Sequence, residues 1–277
     1  MRVKWVAMGL VAFGVLFSAG CGREPPDAND KTITFIMSDL GFHREAVAIL
    51  KGELAQQGFK LDWVIVNDII QPNILVDNGT VDANWFQHEP YFDQFVLDHQ
   101  LHNVTRAFYT LIAPAGLYSK KYKSLEQIPD GATFGIPVDP ANNGRALFML
   151  RDKGLLQLKD GVDVTHAGLK DITANPHGYQ FKEVDQLMQQ RTIDDVAAGF
   201  LFANYAVIIG FDPNHDALVI EDTARLPYRG IVVTRKDLVG SPKIAALRKA
   251  FESEPLKVLY RQKYHGAVRF LDSDSGR

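Results

Sequence analysis

Residues 81–93 read V-D-A-N-W-F-Q-H-E-P-Y-F-D, and residues 136–162 read I-P-V-D-P-A-N-N-G-R-A-L-F-M-L-R-D-K-G-L-L-Q-L-K-D-G-V. The first stretch runs from a strand over 81–86 into a helix that begins at Pro90, and it places Phe86, His88 and Tyr91 together just after the strand. The second ends a strand in a Pro/Asn/Gly turn that opens a helix, with Arg145 expected in the first turn. An Arg beside the free N–H groups of a helix start favours a carboxylate, and aromatic rings offer apolar area. Together these residues suit a small zwitterion with a hydrophobic side chain. Gly144 is expected to let the backbone approach such a ligand closely.

Outward from these stretches the chain alternates strand and helix. Thr32–Met37 and Leu61–Val66 are β-rich. Arg44–Gln57 carries Val47, Leu50 and Leu54 at helical spacing, with Gly58 as its C-cap. Pro72–Asn78 is a short helix. Residues 105–120 are apolar without helical period. Ala132–Ile136 is a strand, Asn142–Arg151 a helix closed by Gly154, and Ile231–Thr234 a further strand. Pro242–Phe251 and Pro255–Tyr264 are the terminal helices. This alternation predicts an α/β fold with a largely parallel sheet.

The first twenty residues read as a targeting segment. Arg2 and Lys4 form a positive start, Trp5–Phe17 is apolar, and Ser18-Ala19-Gly20-Cys21 is a small-residue cleavage site. The apolar run is shorter than the roughly 20 residues of a membrane span. Cys21, the only cysteine, stands where a bacterial lipoprotein signal has its lipidated residue; an ordinary secretory signal with an incidental Cys is the alternative. Residues 21–31 are polar and Pro-containing and read as a tether. Disulfides are excluded, and a net charge of −3 with acids and bases mixed argues against a nucleic-acid partner. The sequence contains no G-x-S-x-G, no Walker-type loop and no H-E-x-x-H, and its histidines show no metal-ligand spacing. No enzyme activity, cofactor or metal is therefore expected.

These segments resemble the NlpA/MetQ family of methionine-binding lipoproteins, the solute receptors of ABC importers. The family pattern is D-A-N-x-F-Q-H-x-P-Y-L, then N-D-P-T-N-x-G-R-A-L and G-L-I-K-L-K-D-G. The resemblance runs from about Ile33 to about Leu271. It implies a two-lobed, periplasmic-binding-protein-like fold with the ligand cleft between the lobes. Lobe 1 would comprise 32–112 plus 232–277 and lobe 2 would comprise 113–231. It also implies ligand contacts from Phe86, His88, Tyr91, Asn142, Arg145, Phe202 and Tyr228, no catalytic residue, an ABC permease and ATPase as partners, and a lipid anchor at the extracytoplasmic membrane face. From the residues alone, Arg145 could equally form an interlobe ion pair with an Asp or Glu, and Asn142 could equally be a helix cap. Trp85, where the pattern has a small residue, is expected to alternate away from Phe86 into the core. Glu89, at a position where Lys is common, is expected to be exposed.

Four positions depart from the family pocket. Ile69 stands for the Tyr of N-D-Y, Val138 for the first Asn of N-D-P-T-N, Phe202 for the Asn of V-I-N, and Gly230 for the Asn of P-Y-x-N. Two amides that would fix a ligand are lost, and each unpaired buried group costs about 1–3 kcal/mol; Arg229 and Asn204 are the candidates to replace them. The expected ligand is still an amino acid held by its carboxylate: methionine, another apolar amino acid or a short methionine-containing peptide. The competing function is a surface or sensor lipoprotein that keeps the fold without methionine transport.

Overall fold

The computed structural model describes residues 30–38, 43–222 and 227–271. Residues 1–29, including Cys21 and most of the expected tether, lie outside the described residues. The chain begins with β1 (Thr32–Ser38), α1 (His43–Gln56), β2 (Lys60–Val66), α2 (Gln71–Asp77), β3 (Ala83–His88), α3 (Glu89–His99) and β4 (Val104–Tyr109). Then follow β5 (Leu111–Ile112), β6 (Ala115–Tyr118), β7 (Thr133–Pro137), α4 (Pro140–Asp152), β8 (Gln157–Leu158), β9 (Ile172–Ala174) and β10 (Gln180–Val184). After the short α5 (Gln189–Thr192) come β11 (Ala198–Phe202), α6 (Ala203–Ile208) and β12 (Val219–Ile220). β13 (Gly230–Arg235), α7 (Pro242–Phe251), α8 (Glu254–Lys263) and β14 (Arg269–Phe270) complete the described chain.

Two five-stranded sheets carry the molecule, in the orders β2-β1-β3-β13-β4 and β10-β7-β11-β6-β12. Each has one reversed strand. β13 runs antiparallel to β3 and β4, and β6 runs antiparallel to β11 and β12. In both sheets the reversed strand is the one on which the chain arrives from the other sheet, so the largely parallel layout holds within each sheet.

β1 explains the depth of the first sheet. Ile33, Phe35 and Met37 face a core built with α1, α7 and α8, whereas Ile36 faces a second cluster with Val76 and Phe92. A strand apolar on both faces belongs inside a sheet covered on both sides. α1 ends where the sequence predicts: Gly58 is left-handed at φ +78, and the Phe59 N–H returns to the Leu54 carbonyl at 2.9 Å, closing the helix in a Schellman-type turn. The second sheet has its own core, with Phe134, Ile136, Leu147, Leu150, Phe200 and Tyr205 all buried.

Candidate functional site

β3 ends at His88, and His88 is also the N-cap of α3: its Nδ1 accepts the Tyr91 backbone N–H at 3.1 Å. Nδ1 is therefore a lone pair and the ring hydrogen sits on Nε2. That hydrogen is donated to Oδ1 of Asn142 at 2.9 Å, which joins an element of the first sheet to one of the second. Burial, reinforced by the Arg145 charge, pushes the His88 ring from its ordinary value down to about 3.

α4 begins at Pro140, with Asp139 as its N-cap. Pro at the first helical position loses no hydrogen bond. Asp139 accepts both the backbone N–H of Asn142 at 3.0 Å and its side-chain N–H at 2.9 Å. Burial pushes the Asp139 carboxyl up to about 6, against the pull of those bonds and of Arg145. Two expectations change here. The helix starts earlier than Asn142, so Arg145 lies in its second turn, and the first-turn N–H of Asn142 is already capped by Asp139. Gly144 serves packing and not a ligand: a Cβ there would stand 2.1 Å from the Val164 carbonyl oxygen.

Arg145 is buried and ion-paired. Its Nε and Nη2 donate to the two carboxylate oxygens of Glu221 at 2.7 and 2.5 Å, and its Nη1 donates to Asn142 Oδ1 at 2.9 Å. Glu221, just past β12, also accepts the Ala115 N–H at 2.8 Å. The ion pair thus lies within the second sheet's own elements and does not bridge the two sheets. The guanidinium is 3.9 Å from the centroid of the Tyr228 ring and 5.2 Å from that of Phe202. Three of its five N–H groups are engaged among the described residues.

One cleft gathers Phe86, His88, Tyr91, Asn142, Arg145, Phe202 and Tyr228 in its wall, all seven residues singled out from the sequence. Phe86 and Tyr91 meet edge-on at 6.0 Å, and His88 meets Tyr228 at 5.0 Å. The Tyr91 hydroxyl donates to the Ile69 carbonyl at 3.1 Å. Asn204 is in the wall. Arg229 is not: it pairs with Glu89 at 2.8 Å and stacks on Tyr109. Glu89 is accordingly only 19% exposed at its side chain, because it also takes Arg106 and the Tyr109 hydroxyl; the expectation of an exposed acid is corrected. Val138 is 51% exposed and outside the wall. Trp85 packs edge-on against Phe251 at 4.7 Å in the first core, as alternation requires, and its other edge borders the cleft. Among the described residues no group of three or more His, Cys, Asp or Glu could hold a metal, and no helix is long and apolar enough to cross a membrane.

Glu221 escaped the sequence reading. It is 76 residues from Arg145, and nothing in A-L-V-I-E-D distinguishes it from any acid closing an apolar run. Asp139 carried a local signal, an acid directly before a Pro-initiated helix.

His88 and Asp139 give opposite pH dependences. The unfolded chain takes up a proton on His88 near the ordinary imidazole value of 6.5, which the native ring refuses down to about 3. Stability therefore rises with pH across that window and is lost as the pH falls below 6.5. The native Asp139 carboxyl holds its proton up to about 6, against 3.8 when unfolded, so its stabilising share is complete below 3.8 and is lost as pH rises through 6. His88→Gln removes only the first slope. The urea midpoint of that variant is expected to fall less between pH 7 and pH 4 than that of the parent; an equal fall would mean the His88 ring charges freely in the native state.

Two five-stranded sheets with a polar-and-aromatic cleft drawing residues from both define a two-lobed, periplasmic-binding-protein-like fold. The family profile described as NlpA lipoprotein matches residues 40–269, and the chain belongs to that family. It is 33% identical to the methionine-binding lipoprotein MetQ of Bacillus subtilis over 264 residues, covering 95% of this chain and 96% of the relative. It is 33% identical over 261 residues to the D-methionine-binding lipoprotein MetQ of Salmonella typhi, covering 92% and 93%. A solved nutrient-binding protein from Burkholderia cenocepacia bound to methionine superposes with a TM-score of 0.81 at 31% identity, covering 87% of this chain and all of that one. An ABC-transporter periplasmic substrate-binding protein from Coxiella burnetii superposes at 0.80 with 29% identity, covering 86% and 100%. The family is one of solute-binding proteins.

Proposed function

We propose that this protein is a lipid-anchored solute receptor that captures an apolar amino acid by its carboxylate and hands it to an ABC permease and its ATPase. The carrying observation is the cleft wall: Arg145 lies in one wall with Asn142, His88 and the rings of Phe86, Tyr91, Phe202 and Tyr228. Charge-assisted bonds from a guanidinium suit a carboxylate, and the rings suit an apolar side chain. Methionine, which the relatives' names state for them, is the first candidate. The lobes are assigned as 32–112 plus 232–277 and 113–231, and the anchor as lipid on Cys21 at the extracytoplasmic membrane face. In such receptors closure of two lobes on the ligand creates the form a permease recognises.

A second reading rests on Glu221. Arg145 already has a carboxylate partner of its own, which suits a protein that keeps the fold as a surface or sensor lipoprotein. Native mass spectrometry of protein purified without refolding separates the two. The receptor reading expects an adduct with the mass of an amino acid or a close derivative, absent from Arg145→Gln. Bare parent protein that also gains no thermal stability from amino acids would favour the second reading.

A further inference from the structure

The charges around the cleft are unequal. Among the described residues of its wall Arg145 is the one charged side chain, since burial keeps the His88 ring neutral. Two carboxylates stand directly behind that wall. Glu221, just past β12, takes the guanidinium on both of its oxygens and is 5% exposed at its side chain. Asp139, between β7 and α4, takes the backbone and side-chain N–H of Asn142, whose amide oxygen in turn takes Arg145. The tyrosines of the wall feel the same acids. Burial raises the Tyr228 and Tyr91 hydroxyls above their ordinary range. Glu221, Asp163 and Asp139 add to this at Tyr228, against the pull of Arg145, and Asp139, Asp185 and Asp68 add to it at Tyr91.

A lone carboxylate reaching Arg145 would therefore bring a further negative charge close to Glu221. A ligand that also carries an ammonium brings a cation into the field of both acids and is neutral as a whole. The wall can bond such a group, because it includes the amide side chains of Gln87, Asn142 and Asn204, and amide oxygens accept N–H donors. An unpaired charge is costly to bury, so the acids behind the wall decide which ligands suffer that cost.

We propose that Glu221 and Asp139 are specificity-determining residues of the cleft: set behind Arg145 and Asn142, they make it choose carboxylate ligands that also carry an ammonium. Neither acid lines the wall; each acts through the charge it places beside the anchor. This inference rests on the reading of Arg145 as the carboxylate anchor.

Titration calorimetry at pH 7.5 with two matched pairs tests it: racemic methionine against 4-(methylthio)butanoate, and racemic norleucine against hexanoate. Within each pair the carboxylate and the apolar chain are the same and only the ammonium differs. Asp139 is ionised at that pH, above the value of about 6 that its carboxyl reaches. At the effective dielectric of protein sites, about 20, two unit charges about 8 Å apart are worth roughly 30-fold in a binding constant. Glu221→Gln is expected to shift the affinity ratio within each pair toward the acid without an ammonium by at least about tenfold, and Asp139→Asn by at least about threefold. Asn caps a helix as well as Asp does, so Asp139→Asn carries the test should Glu221→Gln, which opens a buried ion pair, fail to fold. A merely structural role would weaken both members of a pair alike. Unchanged ratios in the folded variants, with Arg145→Gln binding none of the four, would overturn the inference and leave the carboxylate anchor standing. A parent that binds none of the four would remove the anchor and the inference with it.

Discussion

Arg145→Ala is expected to lower the melting temperature by roughly 6–20 °C. The side chains of Arg145 and Glu221 are 1% and 5% exposed. Removing the cation leaves a carboxylate in a site closed to water, with the Ala115 N–H as its remaining partner among the described residues. Breaking a buried ion pair from one side costs about 3–5 kcal/mol, and each kcal/mol moves the midpoint of a chain this size by about 2–4 °C. The double variant Arg145→Met with Glu221→Leu decides whether charge or packing is responsible, because apolar replacement of both partners of a buried pair is often neutral. Recovery of most of the lost stability in the double variant, with no ligand binding, is the expected result. A double variant as unstable as the single one would assign the loss to packing between Phe200, Phe202 and Tyr228.

Gly144→Ala is expected to destabilise by about 3 kcal/mol, at the upper end of the usual overpacking cost. The added Cβ would sit 2.1 Å from the Val164 carbonyl oxygen and 3.1 Å from Ala167 Cβ. The nearest obstacle is backbone, which cannot turn aside as a flexible side chain would. α4 must therefore shift, and it carries Asn142 and Arg145 with it, so ligand affinity should fall together with stability. Gly52→Ala in α1 is the internal control. Nothing lies within 4 Å of its added Cβ, and Ala in a helix interior is favoured over Gly by roughly 0.5–1 kcal/mol. Chemical denaturation of the two variants should move in opposite directions. A Gly144→Ala variant as stable as the parent would mean the segment around Val164 yields readily, and that Gly144 is not needed for packing.

The elements were legible in the sequence because their signals are local. The apolar positions Val47, Leu50 and Leu54 together with Gly58 describe α1 without reference to any other segment. Pro242 after Ser241 gives the start of α7, where the Ser hydroxyl accepts the Ile244 N–H. The start of α4 was misplaced because Asn142 is as good a cap residue as Asp139; only the hydrogen bonds to Asp139 distinguish them. Glu89 was misread as exposed because its partners Arg106 and Arg229 lie 17 and 140 residues away.

By itself the sequence determined the α/β alternation, the family and seven of the residues that line the cleft, since strand alternation, helix capping and contiguous motifs act over a few residues. Only the tertiary structure decided what those residues touch. It paired Arg145 with Glu221 by bringing the end of β12 beside α4, set Val164 against Gly144, and turned Arg229 away from the cleft toward Glu89. It also brought Trp85 and Tyr260, members of the first core, to the wall of the cleft. The physical reason is the same in each case. A side chain's burial, charge state and free hydrogen-bonding capacity are set by neighbours across the fold, and those neighbours are chosen by the order in which distant strands and helices pack.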